Sequence, residues 1–133
     1  MTKKRLNVFL SYSANDKSVA QELIERLELQ GIDTWFEEHQ LQPGTLWENN
    51  IRNAIAHSDY LVAILPKDKA SQYLLFEIGL ALGEKKTVIP VAIGESFDNS
   101  ILGAISKFQI IKSDNASAAA DQIARAIGIE SDA

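Results

Sequence analysis

The 133-residue chain is predicted to fold as a flavodoxin-like, doubly wound α/β domain. This is a five-stranded parallel sheet in the order 2-1-3-4-5 with helices on both faces. Three observations predict it. Short apolar runs alternate along the chain with segments of helical periodicity, giving β-α five times over. The runs Leu6 to Leu10, Tyr60 to Leu65 and Thr87 to Ile93 are mostly apolar without polar alternation, Asn7 and Thr87 aside, as in strands covered on both faces. Right-handed crossovers between parallel strands then place helices on both sides. In this order the switch point lies between strands 1 and 3, and ligands bind there, outside the carboxyl ends of the strands.

The elements follow in sequence. Leu6 to Leu10 reads as a buried strand and Ser11 to Asp16 as a polar turn. Val19, Ala20, Leu23, Ile24 and Leu27 recur at helical spacing, and Gly31 stops that helix. Ile32 to Phe36 is the second strand. Glu37 to Gly44 is a polar loop closed by Pro43-Gly44. Trp47, Ile51, Ala54 and Ile55 mark an amphipathic helix, and Tyr60 to Leu65 the third strand. Ser71 is placed as N-cap of a helix running to Gly83. Thr87 to Ile93 is the fourth strand and Phe108 to Ile111 the fifth, with a short helix expected around Ser100 to Ala104. Asn115 to Ile127 is the closing helix, and Glu130 to Ala133 a ragged end.

Composition narrows the function. Hydrophobic residues make up 46% and charged residues 23%, the balance of one globular domain with one core. A net charge of −5 argues against nucleic acid as partner, since phosphate binding needs a basic face. The lack of cysteine excludes disulfides, thiolate metal sites and cysteine nucleophiles. Met-Thr-Lys-Lys-Arg leads into a run too short for a signal peptide, and no run has the length of a membrane span. A cytoplasmic domain without membrane contact is therefore expected.

Glu77 is the most informative residue. It is the only charged side chain between Tyr73 and Gly83, and its helical neighbours Tyr73, Leu74, Leu80 and Ala81 carry no charge. A carboxylate enclosed in this way costs free energy unless it is paired or opens onto a pocket, and such groups mark functional sites. The plain alternative is a glutamate near a helix N-terminus with its tip in water. The predicted topology favours function, because Ser11 to Asp16, the start of the 37–44 loop, and Pro66 to Glu77 all converge on the switch point.

Other constellations are weaker. Ser11-Tyr-Ser-Ala-Asn-Asp16 has no glycine, so neither a dinucleotide fingerprint nor a phosphate loop follows strand 1. His39 and His57 stand alone, without ligand spacing. A phospho-accepting receiver domain needs carboxylates sharing one magnesium ion, and Asp16, Asp68 and Lys112 are poorly spaced for that.

Several segments in order resemble the TIR (Toll/interleukin-1 receptor) domain, bacterial type. They are Val8-Phe-Leu-Ser-Tyr-Ser-Ala-Asn-Asp-Lys17, Trp35-Phe-Glu with Leu41-Gln-Pro-Gly44, Ile51 to Ser58, Ser71-Gln-Tyr-Leu-Leu-Phe-Glu77-Ile and Thr87-Val-Ile-Pro-Val91. Each is unspecific alone, and their order and spacing are specific. The resemblance runs from about Leu6 to Ile127, and a chain this short reads as one such domain, without a sensor, cut from a longer protein. It departs from the family at Tyr73, where tryptophan is usual, and at Asn15, Glu37 and Pro66.

The resemblance implies the subgroup that cleaves NAD⁺ at its nicotinamide–ribose bond, with Glu77 as catalytic carboxylate. It further implies that Ser11, Phe36, Trp47, Ser71 and Tyr73 line the substrate site. NAD⁺ is then substrate, and neither a cofactor nor a metal is expected. Water as acceptor gives ADP-ribose, and an adenine nitrogen or ribose hydroxyl gives a cyclic product. A role in bacterial immunity, such as antiphage defence, or in virulence fits this reading. Leu41, Pro43 and Gly44 fall in the loop through which such domains self-associate or meet other TIR domains. A non-catalytic scaffold acting through the same loop is the alternative.

Overall fold

A computed structural model describes residues 6–35, 47–67, 72–94, 97, 103 and 108–128, with residues 47–50 described by their backbone alone. Its strands are β1 (Asn7–Ser11), β2 (Asp33–Trp35), β3 (Tyr60–Ile64), β4 (Thr87–Ile93) and β5 (Ile111–Ser113). Its helices are α1 (Lys17–Leu29), α2 (Trp47–Ala56), α3 (Gln72–Gly83) and α4 (Ala116–Ala126), with one 3₁₀ turn at Ala14–Asp16. The sheet is parallel throughout and ordered β2-β1-β3-β4-β5, as predicted.

Strand alternation divides the core in two. Val8, Leu10, Val62, Ile64, Ile89 and Val91 point to one face, where they meet Leu23 and Leu27 of α1 and Ala120 and Ile123 of α4. Phe9, Leu61, Ala63, Val88 and Ala92 point to the other, against Ile51 and Ile55 of α2 and Leu74 and Ile78 of α3. Successive residues serve opposite faces, so every position of β1 and β3 must be apolar or otherwise satisfied. This parity assigns Ser11, two residues beyond Phe9, to the α2–α3 face.

The predicted strand limits shift by small amounts. β1 begins at Asn7 instead of Leu6, whose carbonyl accepts from Asp33 N–H at 2.9 Å. Ile32 is fully buried but stays outside β2, because its N–H closes α1 onto Leu27 O at 3.1 Å. Leu65 lies past the end of β3, though its N–H still reaches Val91 O at 2.8 Å.

The larger correction is β5, predicted at Phe108 to Ile111 and found at Ile111–Ser113. Its register pairs Val91 with Ile111 and Ile93 with Ser113. Val91 turns its carbonyl towards β3, so Pro90 turns towards β5. Proline has no N–H to give a preceding residue of β5, so the ladder cannot extend back to Gln109. Phe108 and Ile110 pack, half-buried, on the α2–α3 side instead. The helix expected around Ser100 to Ala104 lies outside the described residues except for Gly103, which is helical. The Ser71 cap and the Glu130 to Ala133 end also lie outside them.

Two helices end in the same hydrogen-bonded closure. After α1, Gly31 (φ 82°) donates to Glu28 O at 3.0 Å, and Ile32 donates to Leu27 O. After α3, Lys85 (φ 59°) donates to Leu82 O at 3.1 Å, and Lys86 donates to Ala81 O at 2.9 Å. Both are Schellman closures, which call for a left-handed residue that glycine supplies without steric cost. At α4 the N-cap is Asn115, whose Oδ1 accepts from Ala118 N–H at 2.8 Å.

The two closures predict opposite effects. A Cβ at position 31 would meet no atom within 4 Å, so Gly31→Ala is expected to destabilise through backbone conformation alone, by about 1–2 kcal/mol. Lys85→Gly relieves the same conformation and is expected to stabilise by up to about 1 kcal/mol. Urea unfolding of both variants checks this, and shifts of the same sign would refute the assignment.

Candidate active site

The site is built where β1 ends beneath α3. β1 pairs with β2 as far as Phe9, and Ser11, its last residue, lies opposite Ala63 of β3. α3 buries the stripe Leu74, Glu77, Ile78 and Ala81, spaced at three, one and three residues, against the sheet. Glu77 therefore sits inside the apolar stripe of its helix and is 1% exposed. Leu75, on the opposite side, is 44% exposed. The helix turns its carboxylate inward and leaves a leucine in water, the reverse of what solvation alone would select.

What Glu77 meets there is Ser11. The Ser11 hydroxyl, itself 1% exposed, donates to Glu77 Oε1 at 2.5 Å. The two residues are 66 positions apart in the chain, and only the crossover topology joins them. The water-exposed glutamate considered from sequence is thereby ruled out. Tyr73 precedes Glu77 by one helical turn and is half-buried. β2 carries Trp35, whose ring stacks on Phe9 with centroids 5.2 Å apart.

The structure thus brings together Ser11 and Glu77 among the predicted site residues, with Tyr73 on the same helix. Ser11 was expected to face substrate; its hydroxyl bonds the Glu77 carboxylate. Phe36 and Ser71 lie outside the described residues, as do Leu41, Pro43 and Gly44 of the expected assembly loop. The Trp47 side chain does so too, although its backbone opens α2.

A cavity of about 320 Å³ opens at the carboxyl end of the sheet. Its lining includes Ser13, Asn15, Asp16, Lys67, Gly94 and Asp114, with Val19 of α1 beneath. It therefore lies towards the α1 side, whereas Glu77 lies under α3. Ser13 to Asp16 and Pro66 were expected at the ligand crevice from topology. Gly94 and Asp114, directly beyond β4 and β5, were not singled out. The same rule, applied to every strand end, would have found them. Among the described residues, no three His, Asp or Glu side chains are grouped to hold a metal ion.

Residues 8–127 match the family model of the TIR domain. A relative from Brachypodium distachyon, described as a probable 2′ cyclic ADP-D-ribose synthase (BdTIR), is 30% identical over 90 residues. That stretch is 65% of this chain and 40% of the relative, so the chain spans well under half of the protein it matches. In structure, the chain is similar to the RPS4 and RRS1 TIR domain heterodimer, with TM-score 0.68, 16% identity, and coverage of 93% of this chain and 96% of that one. It is also similar to the Clostridium botulinum CMP N-glycosidase BcmB, with TM-score 0.63, 21% identity, and coverage of 88% and 97%.

The buried pair makes a stability prediction. Ser11→Ala removes a donor from an enclosed carboxylate and is expected to lower the unfolding free energy by about 1–3 kcal/mol. Urea unfolding at neutral pH measures it, and a midpoint equal to that of wild type would show that the bond contributes nothing to stability.

Proposed function

The chain belongs to the TIR domain family, and from that premise we propose that it is an NAD⁺ nucleosidase with Glu77 as its catalytic carboxylate. The observation that carries this reading is the burial of Glu77 at the carboxyl end of β1, fixed there by Ser11. A scaffold acting through surface contacts has no use for a carboxylate enclosed in an apolar helix stripe. The cyclic ADP-ribose synthase activity in the description of the plant relative supports NAD⁺ as substrate.

The chemistry suits one carboxylate. The nicotinamide of NAD⁺ is a cationic leaving group and departs neutral, taking the bonding electrons, so no acid is needed to protonate it. Positive charge develops on the ribose, and an anion already in place stabilises it without reorganisation. A glycosidase-type pair of carboxylates is not required. With water as acceptor the products are nicotinamide, ADP-ribose and a proton. With a hydroxyl or ring nitrogen of the same molecule as acceptor, the product is cyclic. The description of the plant relative supports the cyclising branch.

In this proposal Tyr73 offers an aromatic face to the substrate in place of the family's tryptophan. Phe36, Trp47 and Ser71 complete the wall, and NAD⁺ is the only small molecule needed. Leu41, Pro43 and Gly44 form a contact with a second TIR domain, a role that the heterodimeric TIR neighbour supports. No described helix is long and apolar enough to cross a membrane, and the proposed setting is the cytoplasm of a bacterium, in defence or virulence.

Nicotinamide release from NAD⁺, with linear and cyclic products separated, tests the reading. Glu77→Gln keeps the shape and removes the charge, and is expected to reduce the rate roughly 100- to 1,000-fold while folding is retained. Release by the variant at the wild-type rate would remove Glu77 from the reaction. If assembly completes the site, specific activity rises with protein concentration. Leu41→Asp is expected to flatten that rise, and a flat wild-type series would count against the contact.

A further inference from the structure

We infer that Ser11 is a positioning residue for Glu77 and not a contact to substrate. The inference rests on the proposed NAD⁺ reaction and assigns Ser11 a part in it that differs from the site wall expected from sequence.

A serine hydroxyl has one proton to donate. Here it goes to Glu77 Oε1 at 2.5 Å, so it cannot at the same time be given to a ribose hydroxyl. Ser11 and Glu77 are equally buried, each 1% exposed, so what separates their roles is the direction of the hydrogen bond between them. Its backbone is held at the end of β1, opposite Ala63 of β3, so the donor is carried by the sheet and not by a loop.

A glutamate has three side-chain torsions, and Leu74, Ile78 and Ala81 around Glu77 on α3 offer no hydrogen bond through their side chains. The Ser11 bond fixes the carboxylate from the strand side. A group aimed at developing charge is effective to the extent that it is oriented beforehand.

The test is saturation kinetics of NAD⁺ cleavage by wild type, Ser11→Ala, Ser11→Cys, Glu77→Gln and the Ser11→Ala/Glu77→Gln double variant. Ser11→Ala is expected to lower kcat roughly 10- to 100-fold, with KM changed by less than about twofold. Ser11→Cys, close in size and a weaker donor, is expected to fall between Ser11→Ala and wild type. The double variant is expected to be no slower than Glu77→Gln, since Ser11 acts through that carboxylate. A raised KM at unchanged kcat would make Ser11 a substrate contact and overturn the inference, as would a wild-type kcat in Ser11→Ala. Multiplicative losses in the double variant would overturn it too. If Ser11→Ala lacks a cooperative unfolding transition, Ser11→Cys carries the same criteria. Wild type without Glu77-dependent nicotinamide release overturns the NAD⁺ reading and this inference together. Release that depends on Glu77 but not on Ser11 overturns this inference alone.

Discussion

Burying a carboxylate costs free energy that a donor offsets, and the hydrogen bond from Ser11 to Glu77 answers that constraint at the centre of this fold. It joins the carboxyl end of β1 to the inner stripe of α3, two segments brought together by the crossover from β1 through β3. The bond therefore depends on the strand order, on the parity of β1 and on the rotation of α3 about its axis. A shift of one residue in β1 would turn Ser11 to the α1–α4 face and leave Glu77 enclosed without this donor.

Parity governs the rest of the interior in the same way. Each of β1, β3 and β4 supplies alternate side chains to two separate cores, one beneath α1 and α4 and one beneath α2 and α3. The carboxyl rim of the sheet consequently has two sides. The cavity whose lining includes Asp16, Lys67 and Asp114 opens towards α1. The Ser11–Glu77 pair lies under α3. One topological rule points to both places, and side-chain direction separates them.

Pro90 shows how a single residue can limit a sheet. It stands in β4 opposite Ala63 of β3, on a position whose backbone turns to the other edge. Its missing N–H costs nothing against β3 and stops β5 from extending towards Phe108. The residues freed from the ladder, Phe108 and Ile110, pack against the α2–α3 core instead.

The sequence by itself determined the sheet order, the alternation of helices and strands, and the end of the first helix and start of the last. These follow from local periodicity, from Gly31 and Asn115, and from the handedness of parallel crossovers. It also singled out Glu77, because one charge in an apolar helix stands out without knowledge of any contact. The tertiary structure decided three further matters. It moved β5, because a ladder depends on which edge of β4 offers an N–H, and apolar Phe108 and Ile110 carry no sign of that. It divided the carboxyl rim into two sides, because a cavity depends on which way side chains turn. And it gave Ser11 its partner, because a serine after a strand looks alike whether it faces a ligand or a carboxylate 66 residues away, and only the packing of α3 on β1 distinguishes the two.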